Sequence, residues 1–340
     1  MFVNQLDERK AAILRAIVEH YVASAQPVGS RTVTDTAGLG VSPATVRNEM
    51  GGLEREGYIT HPHTSAGRIP TDRGYRYYVD HLAGTGGLTA PERREVADFF
   101  ASTVRAIDDL LNETSQLLAR LTHHAAVVVG PQADVVRIRS AHLTLLQPRV
   151  VLAMVVLSNG AVTKEVVFLD EDITEEDVVV AGTHLGTQLT GSTMADIVPR
   201  TVGVEPMDSA ARLVMLACEA LQESDRRGGD PLYVGGASRL AAEQEAFPDA
   251  TSAARVLELL EQQVVLTTVM RELLGSGLTV RIGSENGRDL RDCSLVLAPY
   301  MLEGRPAGTV GVLGPTRMDY RQARAIVVAV SNQLGHQLSR

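Results

Sequence analysis

Arg47 and Asn48 stand side by side in the stretch Ser42-Pro-Ala-Thr-Val-Arg-Asn-Glu-Met50. A guanidinium can donate two hydrogen bonds to guanine O6 and N7. A carboxamide can bond adenine N6 and N7 in the same two-point way. Both side chains suit a DNA major groove, provided that a helix end carries them there. The stretch predicts such a helix. Ser42 can cap it, and Pro43 fits the first turn, where its missing N–H costs nothing. Val46, Met50 and Leu53 fall at i, i+4 and i+7 and form one apolar stripe. Ser42, Ala44, Thr45, Arg47 and Asn48 lie near the N-terminal end, where base edges can be met, and are the candidate DNA contacts. Arg68, Arg73 and Arg76 follow as a basic cluster, and the expectation for them is contact with the DNA backbone.

Other chemistry is scarce. The chain has no GxxxxGK[ST] loop, no HExxH and no GxSxG. Gly308, Gly311 and Gly314 punctuate a strand pattern and do not form a phosphate cradle. His61 and His63 straddle Pro62 without further ligands nearby. His123-His124 suits a helix C-terminus, where the dipole favours positive charge. Glu171, Asp172, Glu175, Glu176 and Asp177 read as a solvated helix start. Cys218 and Cys293 are far apart and lack metal-ligand spacing, so free thiols in a reducing compartment are the default. No catalytic, cofactor-binding or metal-binding residue is assigned, and an enzyme is not expected.

The elements that must position the candidate contacts are legible around them. Gly29–Ala37 predicts a short helix and Gly38-Leu-Gly-Val41 a turn, so the two helices make a helix-turn-helix. Gly57 closes the second helix, Tyr58-Ile-Thr60 starts a strand, and Gly67-Arg-Ile-Pro70 returns as a hairpin, or wing, with Arg68 placed to reach a phosphate or the minor groove. An earlier helix over 5–23 packs beneath, and Thr71 caps a helix through about Leu82. Ala83-Gly-Thr-Gly-Gly87 is a linker. Thr89-Ala-Pro-Glu92 is a capping box that opens one long helix to about Leu121. Its apolar positions Val96, Phe100, Ile107, Leu110, Leu117 and Leu121 suit a core, or alternatively a dimer contact. Strands are expected over 125–129, 137–146, 150–157 and 162–169, then a helix over 173–189. Helices over 205–222 and 252–274 flank a short strand at 232–234. Strands over 279–282, 294–302 and 307–313 precede a last helix over 319–338. Strands with flanking helices, whose last strands come after a long gap, imply an α+β domain interrupted by an insertion.

At 340 residues, with 44% hydrophobic and 21% charged residues, the chain has the composition of an ordinary soluble protein of two or three domains. It shows no apolar run long enough to span a membrane and no secretory pattern at its start, so a cytoplasmic location is expected. The net charge is −9. Residues 1–82 hold nine basic and nine acidic side chains, so the whole deficit falls on the rest. A locally basic wing on an acidic protein is compatible with DNA binding, because phosphate contacts depend on the local face.

These residues also carry a resemblance. The string Ser-Ala-Gly-Arg-Ile-Pro-Thr-Asp-Arg-Gly-Tyr-Arg-Tyr-Tyr-Val-Asp, 65–80, resembles the signature of the bacterial heat-inducible repressors of the HrcA family. Pro27-Val-Gly-Ser30, the 42–50 stretch and the 308–320 stretch match the same family. The resemblance implies a winged-helix DNA-binding domain over 1–88. It implies a GAF-like domain from 89–190 and 276–340, and an inserted dimerisation domain over 191–275. It further implies a homodimer on double-stranded DNA at an inverted-repeat operator, CIRCE, upstream of chaperone operons. The GroE chaperonin is the implied partner that keeps the repressor active. The alternative is a winged-helix repressor controlled by a small molecule in the GAF-like domain.

Overall fold

The structure is a computed structural model. It describes residues 6–339 apart from 39, 63–66, 85, 102–105, 132–135, 159, 199–207, 228–230, most of 239–276, 289 and 303. The chain mixes helices with antiparallel sheets. The N-terminal unit starts with α1 (Glu8–Ser24), capped by Asp7, whose carboxylate accepts from the Lys10 amide at 2.8 Å. Next come α2 (Ser30–Ala37) and α3 (Pro43–Arg55). Gly38, with φ of 60°, ends α2 in the left-handed region that glycine adopts at little cost. Ile13, Leu14 and Ile17 of α1, Val33 of α2, and Val46, Met50 and Leu53 of α3 are buried together. A two-stranded hairpin follows, β1 (Ile59–Thr60) and β2 (Ile69–Pro70), with Ile59 opposite Pro70. Thr71 caps α4 (Asp72–Tyr77), which runs into a π-helical turn over Tyr78–Leu82.

The single helix expected over 89–121 is two helices, α5 (Ala90–Ala101) and α6 (Ile107–Thr122). Ala106 has an extended ψ of 145°, and Asp108 and Asp109 occupy the first turn of α6, where a new N-terminus favours negative charge. The capping box at Thr89–Glu92 is present, with the Thr89 amide donating to Glu92 at 2.7 Å. Val96, Phe100, Ile107, Leu110 and Leu117 are buried within the chain, which makes them core positions.

Five antiparallel strands form the main sheet in the order β7-β3-β10-β9-β8, where β3 is Ala125–Val129, β7 Leu232–Gly235, β8 Thr279–Ile282, β9 Cys293–Leu302 and β10 Arg305–Pro315. The last helix, α9 (Tyr320–Leu338), lies against β9 and α6 and buries Ile326, Val327, Val330 and Leu334. Gly308, Gly311 and Gly314 lie in β10. A Cβ at 308 would come within 2.3 Å of the Tyr300 hydroxyl, and one at 311 within 2.1 Å of Leu297. These glycines make room for large neighbours.

A second sheet has the order β4-β5-β6, from β4 (Ile138–Gln147), β5 (Val150–Leu157) and β6 (Val162–Phe168). Helices α7 (Glu175–Leu189) and α8 (Ser209–Arg227) cover one of its faces. Val151, Ala153 and Val155 join Ala181, Leu185, Leu213 and Ala217 in a separate core. The expected boundary at residue 191 therefore does not coincide with the break between the sheets. Strands 138–168, expected in the interrupted domain, leave the five-stranded sheet, whereas β7, expected in the insertion, pairs with β3. The segment between β3 and β7 is what interrupts the main sheet. The physical reason is that β-branched runs fix strand and face but carry no label for their partner strands. Asp208 caps helix α8 by accepting from the Ala211 amide at 2.7 Å, and residues 205–207 of the helix expected from 205 lie outside the described residues. Most of the helix expected over 252–274 lies outside the described residues.

Candidate nucleic-acid interface

Helix α3 begins as its sequence demands. The Ser42 hydroxyl accepts from the Thr45 amide at 3.2 Å and lies 3.0 Å from the Thr45 hydroxyl. Capping satisfies one orphan N–H of the first turn and fixes where the helix starts. The stripe Val46–Met50–Leu53 is fully buried, which turns the opposite side outward. Ser42, Ala44, Arg47 and Asn48 are exposed, and Thr45 is half-buried beside them. Among the described residues, Arg47 and Asn48 make no hydrogen bond or ion pair. The five candidate residues thus share one helix end, with the Arg47 and Asn48 side chains unengaged among the described residues. Arg31, at the start of α2, is also exposed and unpaired among the described residues. The sequence reading missed it. Its signal was a cation in the first turn of the helix that, in helix-turn-helix proteins, crosses the DNA backbone.

The other three arginines have partners within the chain: Arg73 is exposed, and Arg68 and Arg76 are half-buried. Arg68 forms a backbone bridge with Val28 through bonds of 2.8 and 2.9 Å, and its guanidinium meets Glu54 of α3 at 3.2 Å. The same Glu54 carboxylate meets the Nδ1 of His61, so both flanks of the hairpin are fastened to α3. His63 lies outside the described residues. Arg73 stacks over Tyr58 at 4.6 Å and donates to the Glu56 carbonyl at 2.8 Å. Arg76 reaches across the molecule to Glu285, donating through Nε at 2.8 Å and through Nη2. It also donates to the Val280 carbonyl at 2.6 Å and to Asp80 at 3.2 Å. The hydrogen bond to Glu285 holds the Arg76 guanidinium above its ordinary range. Burial alone would raise the Glu285 carboxyl, but the Arg76 bond and the Ile282 amide outweigh it and hold that carboxyl low. Each of the three arginines expected at the DNA backbone thus has a partner inside the chain, and an arginine run in sequence does not say which carboxylate the fold brings opposite.

Elsewhere the described side chains serve structure. Asp172 and Asp170 pair with Arg149 and Arg212 at 2.6 and 3.0 Å, and Thr174 with Asp177 forms a capping box for α7. His123 is the left-handed C-cap of α6. Burial pushes the Cys218 thiol up to about 11 and the Cys293 thiol up to about 12, so both stay protonated and unreactive at neutral pH. Among the described residues, no helix is long and apolar enough to cross a membrane.

The profile of the HrcA protein C-terminal domain matches residues 108–323. The heat-inducible transcription repressor HrcA of Pelotomaculum thermopropionicum is 40% identical over 346 residues, covering 99% of this chain and 98% of the relative. The repressor of the same name from Nocardioides sp. is 40% identical over 330 residues, covering 96% of each. Among solved structures, a hypothetical protein determined at 2.2 Å resolution superposes with a TM-score of 0.63 at 25% identity, over 99% of both chains. An exposed capped helix end on an α+β chain, with relatives of this kind, defines a transcription repressor and not an enzyme. The chain belongs to the HrcA family of heat-inducible transcription repressors.

Proposed function

We propose that the chain represses chaperone operons by binding, as a homodimer, an inverted-repeat operator of the CIRCE type in double-stranded DNA. The observation that carries this reading is the exposed start of α3, where Arg47 and Asn48 have no partner among the described residues. In this reading, residues 1–88 are a winged-helix domain whose second helix enters the major groove, with Thr45 beside the base-reading pair. The five-stranded sheet and its helices form the GAF-like body. The dimer contact falls on the three-stranded unit, in place of the 191–275 segment alone. Its outer sheet face supports this: Val150 lies opposite Phe168, Leu152 opposite Val166, and Val156 opposite Val162. Phe168 is 74% exposed and Val162 53%. Lys164 interrupts this face opposite Met154, but the exposed apolar side chains around it suit an interaction surface, and two copies meeting on it would give the two-fold symmetry that an inverted repeat mirrors. The GroE chaperonin would refold chains lost to heat, and its occupation by other unfolded proteins would lower repression. The cytoplasm is where such a repressor would act.

Selection from random-sequence duplexes, followed by gel-shift titration, tests the DNA reading. An enriched inverted repeat bound by a dimer is expected, and enrichment of no sequence would overturn it. A heated sample regaining operator binding only with chaperonin and ATP would support the chaperonin arm. Binding that survives heat without chaperonin would remove it.

A further inference from the structure

The string from Thr71 to Arg76 sits at the heart of the family signature, yet two of its charged side chains, Asp72 and Arg76, face the body of the molecule. The Asp72 carboxylate accepts from the amide and the hydroxyl of Ser284, at 2.9 and 2.8 Å. Arg76 forms its two-point contact with Glu285, whose carboxylate is itself held by the Ile282 amide at 2.9 Å. Between these polar pairs, Tyr75 packs on Tyr320 with ring centroids 5.7 Å apart, and both rings are buried. The joint has no slack. A Cβ at Gly283, where φ is 52°, would lie 2.4 Å from the Asp72 carboxylate, and one at Gly86 would lie 2.4 Å from the Arg321 carbonyl. Arg317 and Arg324 of the body donate to the Val22 and Val79 carbonyls at 3.1 and 3.2 Å. The N-terminal unit and the body also share one continuous apolar core. Such a junction cannot pivot without breaking two-point charged bonds and separating packed rings.

We infer that the Asp72–Arg76 segment and the Gly283–Glu285 turn form a fixed joint that sets which half-site spacing the repressor accepts. The inference rests on the proposed binding of a homodimer to an inverted repeat. Two heads that grip one duplex act as linked modules, and their combined affinity holds only if both can engage together. If each head is fixed to its body, the distance and twist between recognition helices are fixed too. Spacing specificity then belongs to residues that never touch DNA, while base specificity stays with α3.

The test uses the full chain and the selected operator in three forms: whole, cut to one half-site, and with the spacer lengthened or shortened by single base pairs. Glu285→Ala removes the two-point contact, and Gly283→Ala wedges the same joint from the other side. Both variants are expected to bind the single half-site as the wild type does. They should lose about tenfold or more on the whole operator and should tolerate spacers that the wild type rejects. Equal losses on half-site and whole operator would overturn the inference and make these residues mere supports of the head. An unchanged spacing profile would overturn it as well. Failure of the wild type to bind even a half-site would instead remove the DNA-binding reading beneath it.

Discussion

Arg47 and Arg68 show how far a side chain can be read before its partners are known. Both are arginines in stretches that match one family, yet Arg47 has no partner among the described residues and Arg68 is paired with Glu54. Arg47→Ala is expected to cost about 1–3 kcal/mol of operator binding and to relax specificity at one position. Affinities measured against operators substituted base by base would show it, and unchanged selectivity would refute the docking. Arg68→Ala should leave the salt dependence of binding unchanged, because its charge is already neutralised by Glu54. Arg31→Ala should lower the log–log salt slope by about one, as expected for one lost phosphate contact. Titrations across a salt series separate the two. The helix end at 42–48 was legible because capping, stripe and exposure all follow from local spacing. The destination of Arg76 was not, since Glu285 lies 209 residues away in the chain.

Elements were legible wherever a local signal marks them. Ser42, Thr71 and Thr89 cap the helices that their positions suggest, and Gly57 turns the chain after α3 with φ of 78°. The break between α5 and α6 was missed, because the apolar positions keep a helical rhythm across it. Assignment of strands to sheets was missed for a different reason. Alternation in β5 fixes which side of the strand is buried, but the core that buries it, α7 and α8, comes later in the chain. Tight packing within β10 gives a prediction at this scale. Gly308→Ala places a methyl against the Tyr300 hydroxyl and the Val129 carbonyl, which β3 and β9 hold in place. A loss of about 1–3 kcal/mol is expected in urea unfolding monitored by circular dichroism. A neutral result would mean that Tyr300 can move aside and the sheet is looser than its register implies.

At the scale of the whole molecule, the joint between head and body is expected to respond to acid. Glu285 has its carboxyl held below its ordinary value of 4.5 in the folded chain. Its contribution is therefore fully present above that value and is lost as the pH falls through the lower folded one. Protease cleavage in the 83–87 linker should accelerate on acidification below about pH 4.5, before the far-ultraviolet signal of the body changes. Glu285→Ala should abolish that early step, and its persistence in the variant would locate the acid-sensitive contact elsewhere. The Arg76 bond to Val280 has one more consequence. Strand β8 is the last of its sheet, and the flank away from β9 faces α4. An open sheet edge is a template onto which a strand from another molecule can add. The arginine that ties head to body therefore also stops that edge from recruiting a sixth strand. Detachment of the head by heat would uncover a sticky seam, and the silenced repressor would become a molecule prone to clumping.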